Sequence, residues 1–226
     1  MSEVRTLIII PAYNEQDSIE KTVADIEQNL PGFDYLIVND GSTDRTGELL
    51  DERGYSHIDL PVNLGLSGAV QGGYKYAYQM GYDCAVQFDG DGQHQARYIA
   101  DMVKEIENGY DIVIGSRFVN KKKDHSLRMI GARILTVLIR LRTGTRVADP
   151  TSGMRLLNRK MIHDYAYNMN RQPEPDTLAY QLRRGAKIKE VQVEMNERTA
   201  GVSLYKGLWP AAKYMISMII SIIFLS

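Results

Sequence analysis

The first half of the chain alternates short, continuously apolar runs with amphipathic segments. Apolar runs bounded by turn residues predict strands at 6–10, 35–38, 58–60, 84–88 and 111–114. Apolar residues at helical spacing predict helices at 18–30, 44–53, 67–80 and 96–108. This alternation predicts an α/β fold, in which helices flank a mainly parallel sheet.

The pattern changes after residue 120. Within 127–141 an apolar stripe is flanked by arginines, which predicts either a helix in a membrane interface or an ordinary packed helix with solvated arginines. Residues 215–225 carry no charge but are short for a membrane span, which needs about 20 residues. They predict an interfacial helix, a tilted or truncated span, or a helix docked on the domain. We therefore divide the chain into a catalytic domain, 1–205, which includes the basic amphipathic segment 121–146, and a C-terminal apolar membrane-associated helix, 206–226.

The net charge of −1 conceals a strong asymmetry. Residues 1–120 carry 20 acids and 8 Lys or Arg, whereas residues 121–160 carry 11 Lys or Arg and 2 acids. A compact basic segment in an acidic protein predicts an anionic partner. Nucleic acid is not expected, because the aromatic residues typical of single-strand binders are missing there. The single cysteine, Cys84, excludes an intramolecular disulfide and fits a reducing compartment.

Two carboxylates, Asp89 and Asp91, follow the apolar run 84–88 directly. Ligands of open α/β sheets bind at the carboxyl ends of the strands, and Mg²⁺ or Mn²⁺ prefers oxygen ligands and bridges proteins to phosphates. The pair therefore predicts a metal held against a diphosphate, and a solvated acidic turn is the alternative. An EF-hand loop is excluded, because His94 and Ala100 occupy the places of its glycine and glutamate.

The first two predicted strands also end in polar loops, 11–15 and 39–44. Asp40 stands at a strand end, where it could accept hydrogen bonds from a nucleotide base. The glycine-rich patterns of dinucleotide and P-loop sites are absent from the sequence.

Seven motifs in order resemble those of family 2 glycosyltransferases. The last two, at 149–155 and 197–203, resemble the polyprenyl-phosphate glycosyltransferases, a group that includes dolichol-phosphate mannose synthase. Bacterial undecaprenyl-phosphate sugar synthases are the most similar in pattern, and the likeness runs from about residue 7 to 203. The motifs are 11–15, 39–44, 63–65, 89–91, 115–117, 149–155 and 197–203.

The resemblance implies a GT-A fold, a nucleotide-sugar donor, a divalent metal and roles for individual residues. The nucleotide sugar would be bound by Pro11, Tyr13, Glu15, Asp40, Gly65, Asp89 and Asp91. The metal, Mg²⁺ or Mn²⁺, would be held by Asp89, Asp91 and Gln93. The catalytic residues would be Asp149, Arg117 and Arg198. The acceptor phosphate would be bound by Arg128, Arg133 and Ser203. The mannose synthases usually have Lys after this serine, and here Leu204 stands there.

The activity implied is inverting transfer of a sugar, with UDP-glucose or UDP-N-acetylglucosamine expected as donor, to a polyprenyl phosphate at the cytoplasmic face of the cell membrane. Such a reaction would serve cell-surface polysaccharide or glycolipid synthesis, and a membrane-protein partner or a homo-oligomer stays open. Two alternatives also remain. One is transfer to a glycan hydroxyl with Glu174 or Asp176 as base, because a hydroxyl nucleophile needs one. The other is a non-catalytic nucleotide-sugar-binding subunit.

Overall fold

Seven strands form one sheet in the order β3-β2-β1-β4-β6-β5-β7, in a computed structural model that describes residues 4–90, 92–121, 127–168, 174–196 and 208–225. All neighbouring strands are parallel except β6, which runs antiparallel to both β4 and β5. The strands are β1 Thr6–Ala12, β2 Asp34–Asn39, β3 His57–Asp59, β4 Cys84–Gln87, β5 Ile112–Ser116, β6 Arg155–Asn158 and β7 Ile188–Gln192. The predicted mainly parallel sheet is confirmed.

Helices cover both faces of this sheet. They are α1 Ile19–Asn29, α2 Thr46–Arg53, α3 Gly65–Gln79, α4 Ile99–Glu107, α5 Leu127–Thr143, α6 Arg159–His163, α7 Pro175–Arg183 and α8 Leu208–Ile220. A π-helical turn, Ser221–Leu225, continues α8. We call residues 208–225 the tail segment.

The alternation of side chains along β1 produces two apolar layers. Leu7 and Ile9 point to the layer under α3, α5 and α7, whereas Ile8 and Ile10 point to the layer under α1, α2 and α4. All four side chains are at most 1% exposed. Strands buried on both faces read as continuous apolar runs, which is why β1 was visible in the sequence.

Two strands and two helices escaped the sequence prediction: β6, β7, α6 and α7. β6 begins with a buried arginine, and β7 mixes apolar, charged and polar residues that are all half-buried. Neither carries the continuous apolar run of a central strand. β6 lies between β4 and β5 and so places β5 two positions away from β4, whereas β7 forms the edge of the sheet beside β5.

Helix α5 and the tail segment pack side by side on the domain. A Cβ placed on Gly131 would lie 3.1 Å from Met215 Sδ, so the glycine permits this approach. Of the tail, Ile222 is fully buried in the core. Both elements also carry exposed apolar side chains: Ile130, Ile134, Val137 and Leu141 on α5, and Ile216, Ile220 and Phe224 in the tail. Among the described residues, we find no helix with the length and apolar character to cross a membrane.

Candidate active site

The loops after β1 and β2 are joined at the carboxyl edge of the sheet. The backbone N–H of Asp40 donates to Ala12 O at 2.8 Å. Asn14, with a left-handed φ of 57°, accepts the Thr43 N–H through Oδ1 at 2.8 Å. Asn tolerates this backbone conformation better than most residues. The first two motifs therefore form one wall of the site.

Asp40 connects this wall to the turn that precedes α3. Its Oδ1 accepts the N–H of Leu64 at 2.7 Å, and its side chain is almost completely buried. Gly41, at φ 64°, lets the two loops approach, because a Cβ there would lie 2.8 Å from Asn63 N. Asp40 and Gly65 are thus neighbours, as the motif order implied. The recognition of a base by Asp40 stays a prediction.

The turn that follows β4 packs closely against the first loop at Gly90. A Cβ at Gly90 would lie 3.3 Å from Pro11 O and 3.8 Å from Glu15 Cγ. Thr22 Oγ1 of α1 donates to Gly90 O at 3.0 Å. The predicted nucleotide residues Pro11 and Glu15 therefore lie beside the acidic motif, and Tyr13 between them is 46% exposed.

Asp89 is fixed through both its backbone and its side chain. Its Oδ1 accepts Gln87 Nε2 at 3.0 Å, and its N–H donates to His94 Nδ1 at 2.9 Å. That bond makes Nδ1 the acceptor of the ring, so the other ring nitrogen, Nε2, carries the proton and lies 3.6 Å from Asp89 Oδ2. His94 is buried against the edge of Phe88. The sequence singled out His94 only for excluding an EF-hand.

The surroundings of Asp89 fit a hard divalent cation. Its side chain is 33% exposed, and a Cβ on Gly153 would lie 3.2 Å from Asp89 Oδ2, so only glycine leaves this oxygen accessible from that side. Gln93 follows in the same loop, and its carbonyl accepts the N–H of Asn196 at 2.9 Å. Asp91 lies outside the described residues, and within those described no three His, Cys, Asp or Glu form a metal cluster.

Arg117 and Asp149 form a bidentate ion pair across 32 residues of sequence. Arg117 Nε donates to Asp149 Oδ2 at 2.7 Å and Nη2 to Oδ1 at 2.8 Å. The Arg117 N–H and the Thr151 hydroxyl also donate to this carboxylate, at 3.1 and 3.2 Å. Asp149 is completely buried, whereas the Arg117 side chain is 21% exposed. Arg117 is therefore the member of the pair whose side chain a ligand can reach.

Glu190 of β7 supports the loop that carries Asp149. Its two carboxylate oxygens accept the N–H groups of Ala148 and Asp149 at 2.7 and 2.8 Å. Ser152 Oγ donates to Gly115 O of β5 at 2.6 Å. The 149–153 loop is thus attached to β5 and β7, and it reaches Asp89 through Gly153.

A cleft of about 730 Å³ opens beside this ion pair, between the loop after β5 and helix α5. Phe118 and Ala148, the neighbours of Arg117 and Asp149 in sequence, line it. Four cationic side chains line it as well: Lys121, Arg133, Arg140 and Arg146. All four belong to the basic segment 121–146, but only Arg133 was among the predicted acceptor-phosphate residues.

Other predicted site residues cannot be placed. Arg198 and Ser203 lie outside the described residues, and Arg128 lies on α5 with no described side chain. Glu174 and Asp176, the alternative bases, lie at the start of α7 and contact the tail segment. Tyr214 donates to Glu174 Oε2, and Ser221 Oγ donates to Asp176 Oδ2 at 2.6 Å. Burial raises the pKa of Glu174, while the Tyr214 hydrogen bond and the charge of Arg155 oppose the rise.

The family model of glycosyl transferase family 2 matches residues 7–166, which include six of the seven motifs in whole or in part. The chain belongs to glycosyl transferase family 2. It is therefore a glycosyltransferase, as the motifs predicted.

Relatives of this family 2 glycosyltransferase are named as polyprenyl-phosphate sugar transferases. The polyprenol monophosphomannose synthase of Mycolicibacterium smegmatis is 27% identical over 222 residues, covering 90% of this chain and 82% of that protein. The undecaprenyl-phosphate mannosyltransferase of Micrococcus luteus is 30% identical over 221 residues, covering 90% of this chain and 88% of that protein.

The fold is also that of a solved glycosyltransferase. Glucosyl-3-phosphoglycerate synthase from Mycobacterium tuberculosis, solved with Mn²⁺, uridine diphosphate and phosphoglyceric acid, superposes with a TM-score of 0.73 at 18% identity. The superposition covers 100% of this chain and 80% of that one. The likeness supports a GT-A-like arrangement of the sheet and its flanking helices.

Proposed function

We propose that this glycosyltransferase moves a sugar from a nucleoside diphosphate to a polyprenyl phosphate at the cytoplasmic face of a membrane. The observation that carries the proposal is the cationic cleft beside Arg117 and Asp149. Its cations suit a phosphate, and its apolar lining residues, among them Phe118 and Val137, suit the first part of an isoprenoid chain. The names of the family 2 relatives support the same acceptor class.

A phosphate acceptor needs no strong general base. The second pKa of a phosphate monoester is about 6, so the acceptor is largely a dianion at neutral pH. A phosphate oxygen attacks the anomeric carbon, the bond to the donor diphosphate breaks, and the electron pair leaves with the diphosphate. The sugar carbon inverts. What the protein must supply is alignment and positive charge.

The buried ion pair suits this task better than base catalysis. Both Asp149 oxygens accept hydrogen bonds from Arg117, and the carboxylate has no exposure to solvent. Asp149 therefore fixes the orientation of the Arg117 guanidinium, and the exposed part of the Arg117 side chain can meet phosphate oxygens beside the cleft. We assign Asp149 an orienting role and Arg117 a phosphate-binding role.

Asp89, Asp91 and Gln93 offer the oxygen ligands that Mg²⁺ or Mn²⁺ prefers, and a bound ion would neutralise charge on the departing diphosphate. His94 and Gln87 hold the Asp89 backbone and carboxylate in place for such a ligand role. Gly153 keeps the approach to Asp89 Oδ2 open.

The exposed apolar side chains of α5 and the tail suit the membrane surface. Val137 of α5 lies both in the cleft lining and among these exposed residues. Arg140 and Arg142, both exposed, follow it in the last turn of the helix, where they could reach anionic headgroups. A lipid acceptor could therefore pass from the membrane into the cleft without leaving an apolar surface.

A panel of nucleotide sugars tests the proposal. The purified chain is incubated with Mg²⁺, undecaprenyl phosphate in vesicles and labelled UDP-glucose, UDP-N-acetylglucosamine or GDP-mannose. Label in the lipid extract is expected with one donor, and chelation with EDTA should abolish it. The Arg117→Met variant should lose most of this activity, while Lys75→Met on α3, outside the site motifs, should retain it.

Two outcomes would contradict the proposal. Label transferred to a soluble glycan in the absence of lipid would indicate a hydroxyl acceptor. Such an acceptor would need a base, and the two candidates, Glu174 and Asp176, contact the tail in the structure. Binding of UDP without any turnover on the whole panel would indicate a nucleotide-sugar-binding subunit.

A further inference from the structure

One buried arginine joins the loop that directly precedes β6 to the start of α7, which lies 19 residues further along the chain. Arg155, the first residue of β6, is 1% exposed. Its Nε donates to Ser152 O at 3.0 Å, its Nη2 to Pro150 O at 2.8 Å and its Nη1 to Glu174 O at 3.2 Å. A buried guanidinium is costly unless its donors are satisfied, so these carbonyls and the arginine hold one another in place. Arg155 is the last residue of the motif 149–155, but the family resemblance gave it no role.

Arg155 is connected to the tail segment through the start of α7. Glu174, whose carbonyl it binds, accepts the Tyr214 hydroxyl through its carboxylate. Asp176, in the first turn of α7, accepts the Ser221 hydroxyl at 2.6 Å, and both of these partners are buried. The tail is therefore docked on the start of α7 by two specific hydrogen bonds in addition to apolar packing.

Arg155 is also connected to the active site, through the loop that precedes β6. Pro150 and Ser152 belong to the loop that begins with Asp149 and ends with Gly153. At one end of this loop the Asp149 carboxylate orients Arg117, and at the other Gly153 adjoins Asp89. A loosened loop would misplace the Arg117 guanidinium and change the space beside Asp89.

We propose that the tail segment is a positioning element of the active site as well as a membrane-facing one. Through Glu174, Asp176 and Arg155 it holds the 149–153 loop in its catalytic arrangement. Arg155 is a positioning residue, and undocking of the tail lowers turnover even where no membrane is needed. The kinetic part of this inference rests on the proposed function, whereas its structural part does not.

Two hydroxyl deletions test the link while leaving the apolar packing intact. Tyr214→Phe and Ser221→Ala are combined in the full chain, with Tyr167→Phe and Ser217→Ala, which alter exposed side chains, as matched controls. A short-chain, water-soluble polyprenyl phosphate serves as acceptor, so that membrane anchoring cannot limit the rate. We expect kcat to fall at least about fivefold, the lower end of usual coupling between sites, with the donor KM nearly unchanged.

Amide hydrogen exchange of the peptide that contains 149–153 gives a second readout without substrates. We expect faster exchange there in the Tyr214→Phe/Ser221→Ala variant and in Arg155→Lys, which cannot reproduce three fixed donors, and no change in the controls. Normal exchange and normal kcat in the tail variant would overturn the inference. If Arg155→Lys does not fold, the tail variant still decides. Absence of wild-type turnover would refute the proposed function, and the exchange result would stand by itself.

Discussion

Replacing Arg117 and replacing Asp149 should lower the free energy of unfolding by different amounts, although both changes break the same ion pair. Arg117→Met leaves a completely buried carboxylate without its cationic partner, although the backbone N–H of residue 117 and the Thr151 hydroxyl still donate to it. Removing one partner of a buried pair costs about 3–5 kcal/mol. Asp149→Asn leaves an arginine whose side chain is 21% exposed and can still be hydrated, so its cost should be near one charge-assisted hydrogen bond, about 1.5–3 kcal/mol.

Urea unfolding followed by circular dichroism measures this asymmetry. With a slope of about 2 kcal/mol/M, a difference of about 2 kcal/mol separates the two midpoints by about 1 M, with Arg117→Met the lower. The double variant should cost less than the sum of the single ones, by about 0.5–3 kcal/mol. Lys75→Met controls for the loss of a cation elsewhere. Equal midpoints for the two single variants, or strictly additive costs, would refute an ion pair in which Asp149 is fully buried and Arg117 is partly exposed.

Four further outcomes follow from the structure. Gly153→Ala should weaken Mn²⁺ binding in the presence of UDP by about 10-fold to 100-fold, because its Cβ would crowd Asp89 Oδ2; calorimetry measures this, and unchanged affinity would contradict the assigned metal position. Because folding raises the pKa of Glu174, its contribution to stability is complete below the unfolded pKa and is lost as the pH rises through the folded pKa. Glu174→Gln should therefore raise the midpoint of urea unfolding at pH 7.5 and leave it unchanged below a pH of about 4.5. Burial raises the pKa of the Cys84 thiol to about 12, so Ellman's reagent should react only after unfolding. Phe224→Ser should weaken binding to anionic vesicles by about 1.5–3 kcal/mol if the ring enters the membrane, and a sedimentation assay that finds no loss would remove it from the membrane surface.

The central strands of the fold could be predicted from sequence because burial on both faces leaves a local signature. β1 and β5 are continuous apolar runs, and each ends where a polar motif begins. β6 gave no such signal, since Arg155 opens it and its antiparallel pairing with β4 and β5 is decided by tertiary packing. An arginine at a strand start reads as exposed, whereas here three carbonyls satisfy it inside the protein.

The candidate site also has a part that could be predicted from the sequence and a part that could not. Its strand-end motifs could be found because the topology of an α/β sheet brings those ends together. The pairing of Arg117 with Asp149 could not, because it spans 32 residues and depends on the turn that Glu190 and Ser152 hold. The apolar stripe expected on α5 was partly right. Ile130, Ile134 and Leu141 are exposed, whereas Leu138 packs against the core.

The nature of the nucleophile is the central claim, and a matched pair of acceptors tests it most directly. With the donor identified by the panel, the chain is offered undecaprenyl phosphate and undecaprenol in identical vesicles. We expect sugar transfer to the phosphate alone, at a rate that rises through pH of about 6, the second pKa of the phosphate, and is flat above it. Transfer to the alcohol, or no labelled lipid with either acceptor, would contradict the claim.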